Sequence, residues 1–296
     1  GRRRHAYVYG TITPMPPRDV RPFTDLFQKA VDQLGSDRAP VRVGGLYGLG
    51  LLAQQFPGQR AATLELVCAY LRMPCPVLDP VHADELQVRL VAQRVLAQQL
   101  HAANPVRPAA GLDLTGAALV DFDLSACRLD APARLDRAEF YGSAWLRDAF
   151  FGAEVSLRGS RWHGNAWLER AVFAGPARFD GATFRGDAWF GAATFAAPAS
   201  FAGTVFAGHA WFGGATLRAP ANFHGARFAG SAGFRGATCH PGTSMTGVSF
   251  AGPARVSRAG ERWNLCPPGW RVEVDPDNWC VGDLVPMAEL APTPGS

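Results

Sequence analysis

Lysine is almost missing from this sequence. Lys29 is the only one, and the other basic residues are arginine. A Schiff-base or phosphate-loop lysine therefore has one candidate, in a helical pattern with no Gly-rich lead-in. Charge of either sign is scarce, at 18% of 296 residues against a usual share of about 25%. The net charge of +4 is too small for a dedicated nucleic-acid binder. No apolar run approaches the roughly 18 residues that a membrane span requires. Cysteine is sparse too: Cys68, Cys75, Cys127, Cys239, Cys266 and Cys280. None has a metal-ligand spacing with a histidine nearby, so neither a metal nor a cofactor is expected. A reduced, cytoplasmic setting follows, with a Cys266–Cys280 pair left open. The start, Gly1-Arg2-Arg3-Arg4-His5, lacks an initiator Met and a hydrophobic signal core, so an upstream segment is expected to be missing.

Apolar residues, in contrast, make up 48% of the chain, enough for a sizeable core. Residues 1–22 form a basic, proline-rich arm, read as a solvated linker. Its arginines also offer contact with acidic lipid headgroups and so a route to membrane proximity. Residues 23–104 follow helical spacing. Phe23, Leu26, Phe27, Ala30, Val31 and Leu34 line one face of a first helix, and Gly35-Ser36-Asp37 ends it. Further helices are expected over 41–56, 62–73 and 83–100, forming a small bundle or hairpin stack. Gly44, Gly45, Gly48 and Gly50 weaken the second, and close helix packing is the expected reason. Pro105, Pro108 and Gly111 mark a junction over 105–111.

From 112 to 257 a bulky apolar residue returns at intervals of five and six. One stretch reads Phe179, Phe184, Phe190, Phe195, Phe201, Phe206, Phe212, Leu217, Phe223, Phe228, Phe234. A small residue, usually Ala, stands two before each centre, and the two side chains share one side of an extended strand. Glycine often stands two after it, as at Gly181, Gly186, Gly203, Gly208 and Gly225, and is expected to supply positive φ at a corner. Trp145, Trp167, Trp189 and Trp211 recur at a spacing of 22, and Pro176, Pro198 and Pro220 share that spacing. The structural unit is therefore a 22-residue coil stacked on itself, and 27 centres between Leu114 and Val256 give nearly seven coils. At about 4.8 Å per rung the rod is roughly 33 Å long.

Ala117-Ala118-Leu119, Ala182-Thr183-Phe184, Ala193-Thr194-Phe195 and Ala226-Arg227-Phe228 resemble the pentapeptide-repeat family. That resemblance implies a right-handed quadrilateral β-helix, here fused to helices in an α+β multidomain chain. The helical segment, through Phe27 to Asp37, resembles one that precedes such repeats in actinobacterial proteins, where a membrane segment often comes first. The family coil is typically twenty residues. Here every second interval from Leu129 onward is six, and the extra residue falls at two opposite corners.

Four outward ladders follow from the register. The tryptophan ladder is the sharpest, because four such side chains would expose an apolar patch of the size that partners cover. Trp145, Trp167, Trp189 and Trp211 are the candidate protein-binding residues. A column of Thr194, Thr216 and Thr238 reads as β-propensity. His163, His209, His224 and His240 fall in different columns and read as solvated. Asp187 beside His209 is the one acid–histidine neighbour pair of the repeat surface, and it lacks a nucleophile.

The expected function is a non-enzymatic scaffold that presents a surface to an unidentified protein partner. No catalytic residue is expected. A deep polar pocket between the helices and the rod would reopen that question. Modulation of a DNA topoisomerase by DNA mimicry, known in the family, is the alternative. It needs an acidic rod, whereas 111–257 holds 13 Arg against 11 Asp and Glu, and the last acid is Asp187. Residues 258–296 carry Trp263, Trp270 and Trp279 and are expected to cap the C-terminal end, with 292–296 loose.

Overall fold

The helical periodicity is realised as α1 (Arg21–Leu34), α2 (Ala39–Gln55), α3 (Arg60–Arg72) and α4 (Ala83–Leu100). The computed structural model describes residues 21–104 and 111–250, and the backbone of strands Ala254–Ser257, Trp270–Asp275 and Asn278–Pro286. Residues 1–20 of the expected arm, 105–110 of the junction, residues 292–296 and the side chains of Cys266 and Cys280 lie outside the described residues, while Arg21 and Pro22, counted with the arm, begin α1.

Proline sets the helix starts. Pro40 opens α2, while Pro57 and Pro80 open short 3-10 turns ahead of α3 and α4. α2 lies against the other three helices. Close packing explains two of its glycines. A Cβ on Gly45 would lie 2.9 Å from the Ala30 carbonyl oxygen, and one on Gly50 would lie 3.3 Å from Val95 Cγ1. Gly44 faces open space, and a Cβ on Gly48 would find only Ala30 at 4.0 Å.

A polar network ties α3 to α4. The buried Arg89 guanidinium donates to the carbonyls of Leu71 and Met73 at the end of α3 and to Glu85 Oε1 at 3.0 Å. Tyr70 donates to Glu85 at 2.9 Å, and Arg42 reaches the same carboxylate at 3.1 Å. Burial, reinforced by Glu85, pushes the Tyr70 hydroxyl up to about 12.

Past Gly111 the chain winds into a four-sided solenoid. Most rungs are strands of two or three residues, and the rungs of each side pair in parallel. In order of their first strands the sheets hold six, seven, six and eight strands, the last count including the two antiparallel strands of the C-terminal hairpin. Rungs at Leu124 and Met245 shrink to single bridges, Asp123↔Trp145 and Asn222↔Ser244. The rod thus makes about six turns rather than nearly seven. Its first turn is a residue short, with Leu112 opposite Ala133, and later turns keep the 22-residue register, as in Ala166 opposite Ala188.

The core follows the pattern of centres. Phe190 stacks on Phe212, Phe201 on Phe223 and Phe206 on Phe228, each at 4.7 Å between centroids. Each buried Phe stabilises the fold by about 2 kcal/mol. Trp162 occupies a centre as well, fully buried between Phe140 and Phe184. Its indole N–H donates to Ser160 Oγ at 3.0 Å, and Ser160 takes the place that alanine holds in most rungs.

The corner glycines do two different jobs, and this corrects the single role expected of them. Gly181, Gly203 and Gly225 have φ near +65°. Gly186 and Gly208 do not; a Cβ on Gly208 would meet the Gly186 carbonyl oxygen at 2.4 Å. The second kind lets backbones of successive turns touch.

The two inserted corner positions also differ in chemistry. At one, Pro176, Pro198 and Pro220 accept hydrogen bonds through their carbonyls and have no N–H to satisfy. At the other, side chains accept the backbone N–H one turn on: Asn165 from Asp187, Asp187 from His209, and His209 Nδ1 from Ser231. The Asp187–His209 pair is therefore part of a corner staple.

The helices cover the N-terminal end of the rod, sharing its core, with Arg72 bound to the Asp113 carbonyl at 2.6 Å. At the far end Asn278–Pro286 pairs antiparallel with Ala254–Ser257 and with Trp270–Asp275. This hairpin extends the tryptophan sheet at its C-terminal edge.

Candidate functional site

The tryptophan face follows from one repeated tripeptide pattern. In Ala166-Trp167-Leu168 and Ala188-Trp189-Phe190 the outer residues turn into the core and the tryptophan turns out. Parallel pairing sets Trp145, Trp167, Trp189 and Trp211 in successive rungs of one sheet. All four are half-buried.

They do not form a stack of four. Trp167 and Trp189 lie at 5.3 Å and 8°, and Trp189 and Trp211 at 5.8 Å and 25°. The Arg147 guanidinium covers the outer end of this three-ring stack, 4.5 Å from the Trp167 centroid, and is held by Glu169 at 2.5 Å. Trp145 stands apart from it, in register with Asp123. At the other end Trp211 leans over Gly233, where a Cβ would lie 2.3 Å from its ring. Inside the stack the Trp189 indole nitrogen is buried without a hydrogen-bond partner among the described residues. Rings stacked in this way offer their edges to solvent, with the bare backbone of Gly191 and Gly213 beside them in the sequence. The capping arginine left a trace in the sequence, since Arg147 and Glu169 are opposite charges one coil apart.

The remaining ladders make contacts between successive turns. Arg170 and Asp148 pair through two bonds of 2.6 and 2.7 Å across one turn. Glu139 binds Arg161 and His163, each at 2.6 Å, and His163 stacks on Tyr141; this second acid–histidine pair corrects the expectation of Asp187 and His209 as the only one and of His163 as a solvated side chain. Thr194 and Thr216 are half-buried neighbours on the adjoining face. His224 and His240 are placed on separate faces by their rungs, as the register requires.

Sequence reasoning did not locate a cleft of about 770 Å³ between α4 and the first turn of the rod. One wall is a face of α4 with Leu90, Arg94 and Ala97; the other carries Asp121, Asp123 and Cys127. Burial pushes the Cys127 thiol up to about 12, and its Sγ donates to the Ala97 carbonyl at 3.6 Å. It is therefore held as a thiol rather than as a nucleophilic thiolate. His101 Nδ1 accepts the Ala103 N–H at 3.2 Å. Among the described residues no group of His, Cys, Asp and Glu has the arrangement of a metal site, and no helix is long and apolar enough to cross a membrane.

The family model described as pentapeptide repeats (9 copies) matches residues 135–183, 157–205, 168–216, 201–249 and 212–259. No curated protein and no solved structure matches the chain.

Proposed function

From a segment, 135–259, that belongs to the pentapeptide-repeat family, we propose that this chain is a non-enzymatic scaffold whose tryptophan face docks a partner protein. The observation that carries this reading is the stack of Trp167, Trp189 and Trp211, half-exposed on one parallel sheet. Tryptophan is the residue type most enriched where binding energy concentrates, because it covers much area at little entropic cost. The stack is already rigid, so docking loses little side-chain freedom. The hairpin pairs with Ala254–Ser257, two rungs beyond Trp211, and so adds to the end of the same sheet without pairing to a tryptophan rung. Binding rather than catalysis fits the cleft as well, since its one thiol is held protonated. The likeness of the four-helix segment to those ahead of such repeats in actinobacterial proteins agrees with a scaffold built of two parts.

The test compares capture from native lysate by the unmodified chain and by Trp167→Ser/Trp189→Ser, with circular dichroism to confirm the fold. Loss of specific partners with an unchanged spectrum supports the reading. An unchanged capture profile with both indoles gone overturns it.

A further inference from the structure

We propose that the cleft between α4 and the rod is a preformed site for a compact zwitterion. Asp121 and Asp123 would hold its ammonium group, Arg94 its carboxylate, and Leu90, Ala97 and Cys127 its apolar body. This site is separate from the tryptophan face and does not depend on that reading.

Size and place come first. A volume of about 770 Å³ is what small ligands occupy, and such sites favour the seam between two structural units. The walls are also fixed. The buried Gln93 amide grips the Val120 backbone twice, donating to its carbonyl at 2.7 Å and accepting its N–H at 3.0 Å. Beyond Ala97, the Ala102 N–H donates to the Ala126 carbonyl at 2.9 Å, and His101 bridges to Cys127. The helix is thus riveted to the rod at both ends of the cleft, which cannot collapse onto itself.

Charge then selects the ligand. Asp121 uses Oδ1 to accept the Ser143 N–H at 3.1 Å, and Asp123 uses Oδ1 to accept the Ser125 N–H at 2.7 Å. Those bonds fix each carboxylate and leave its second oxygen without a partner among the described residues. Further along the rod Glu139, Asp148, Glu154, Glu169 and Asp180 each pair with an arginine. Asp121 and Asp123 pair with none among the described residues, and Arg94 across the cleft is exposed and equally without an ion pair. The two walls therefore carry opposite charges with a gap between them. A lone anion would face two carboxylates, and a lone cation would face Arg94 together with Arg60, which lines the same cleft with its guanidinium on the Ala53 carbonyl and Asn104. A molecule with both charges satisfies both walls, and its apolar body covers the floor. The charges are solvated, so binding in the millimolar range is expected.

The experiment is calorimetric titration of the full chain with L-leucine and with L-leucyl-L-leucine, whose charges are further apart. Isoamylamine and 4-methylpentanoate serve as singly charged controls. One or both zwitterions should saturate at least tenfold tighter than either control. Arg94→Gln and Asp123→Asn, both at exposed positions, should each weaken binding about tenfold with the melting temperature unchanged. In the unmodified chain, amide resonances of Ala97, Gln98 and Ser125 should shift on titration. Failure of both zwitterions to bind overturns the proposal. So does binding that survives both substitutions, a control that binds as tightly, or shifts confined to other residues.

Discussion

At the scale of single residues, the glycines show how one sequence offset can hide two physical demands. Gly203 has φ +63°, but nothing lies within 4 Å of where a Cβ would sit. Gly208 has ordinary φ and no room. Gly203→Ala should cost about 1–2 kcal/mol, the usual cost of a left-handed alanine. The corresponding corner on the opposite side already tolerates Ala192 at φ +54°. Gly208→Ala should cost about 3 kcal/mol or more, because backbone must move to admit the methyl. Urea denaturation of the two variants checks the order. Spacing alone placed both glycines at corners, since both stand two residues after a centre. It could not separate them, because the separation depends on which corner holds the extra residue and how closely the next turn approaches. The tryptophans teach the same lesson. Their column was legible from the 22-residue spacing, but the break between Trp145 and Trp167 depends on a guanidinium from Arg147.

At the scale of elements, charge is distributed unevenly and so is its contribution to stability. The α3–α4 network converges on Glu85, which holds Arg89, Arg42 and Tyr70. Glu85→Ala would leave the buried Arg89 without its carboxylate and should cost about 2–4 kcal/mol by urea denaturation. Glu85→Gln, which can still accept from Tyr70, should cost less.

In the rod the ion pairs lie in the early turns. Burial works to raise the Glu139 pKa, but the bonds from His163 and Arg161 outweigh it and hold the carboxyl below its ordinary 4.5. The Arg170 bonds hold Asp148 below its ordinary 3.8. A carboxyl depressed in the folded state stabilises above its ordinary value, and that contribution is lost as pH falls through the depressed one. Acid below about pH 4 should therefore loosen the turns up to Asp187 first. The turns over 188–250 contain no Asp or Glu and should keep their protection. Hydrogen exchange at pH 3 and pH 6, corrected for intrinsic rates, would show it; uniform loss along the rod would contradict it. The helices were legible as elements from their 3.6-residue periodicity and proline punctuation. The cleft was not, because it arises where Gln93 of α4 meets Val120 of the rod, a contact between segments with separate periodicities.

At the scale of the molecule, the register makes length a discrete quantity. Excising 177–198 would join Pro176 to Ala199, the neighbour that Pro198 now has. Every column would stay in phase, and the rod would shorten by about 4.8 Å. That variant should melt cooperatively near the parent temperature. Excising only 188–198 would join Asp187 to Ala199 and set the Arg–Ser column beneath the tryptophans. It should lose cooperative melting by circular dichroism. Half a turn is thus a forbidden increment and a whole turn a nearly neutral one. A lineage carrying this rod can grow or shrink it by unequal recombination in whole turns. The reach between its ends then changes stepwise, while each face keeps its chemistry.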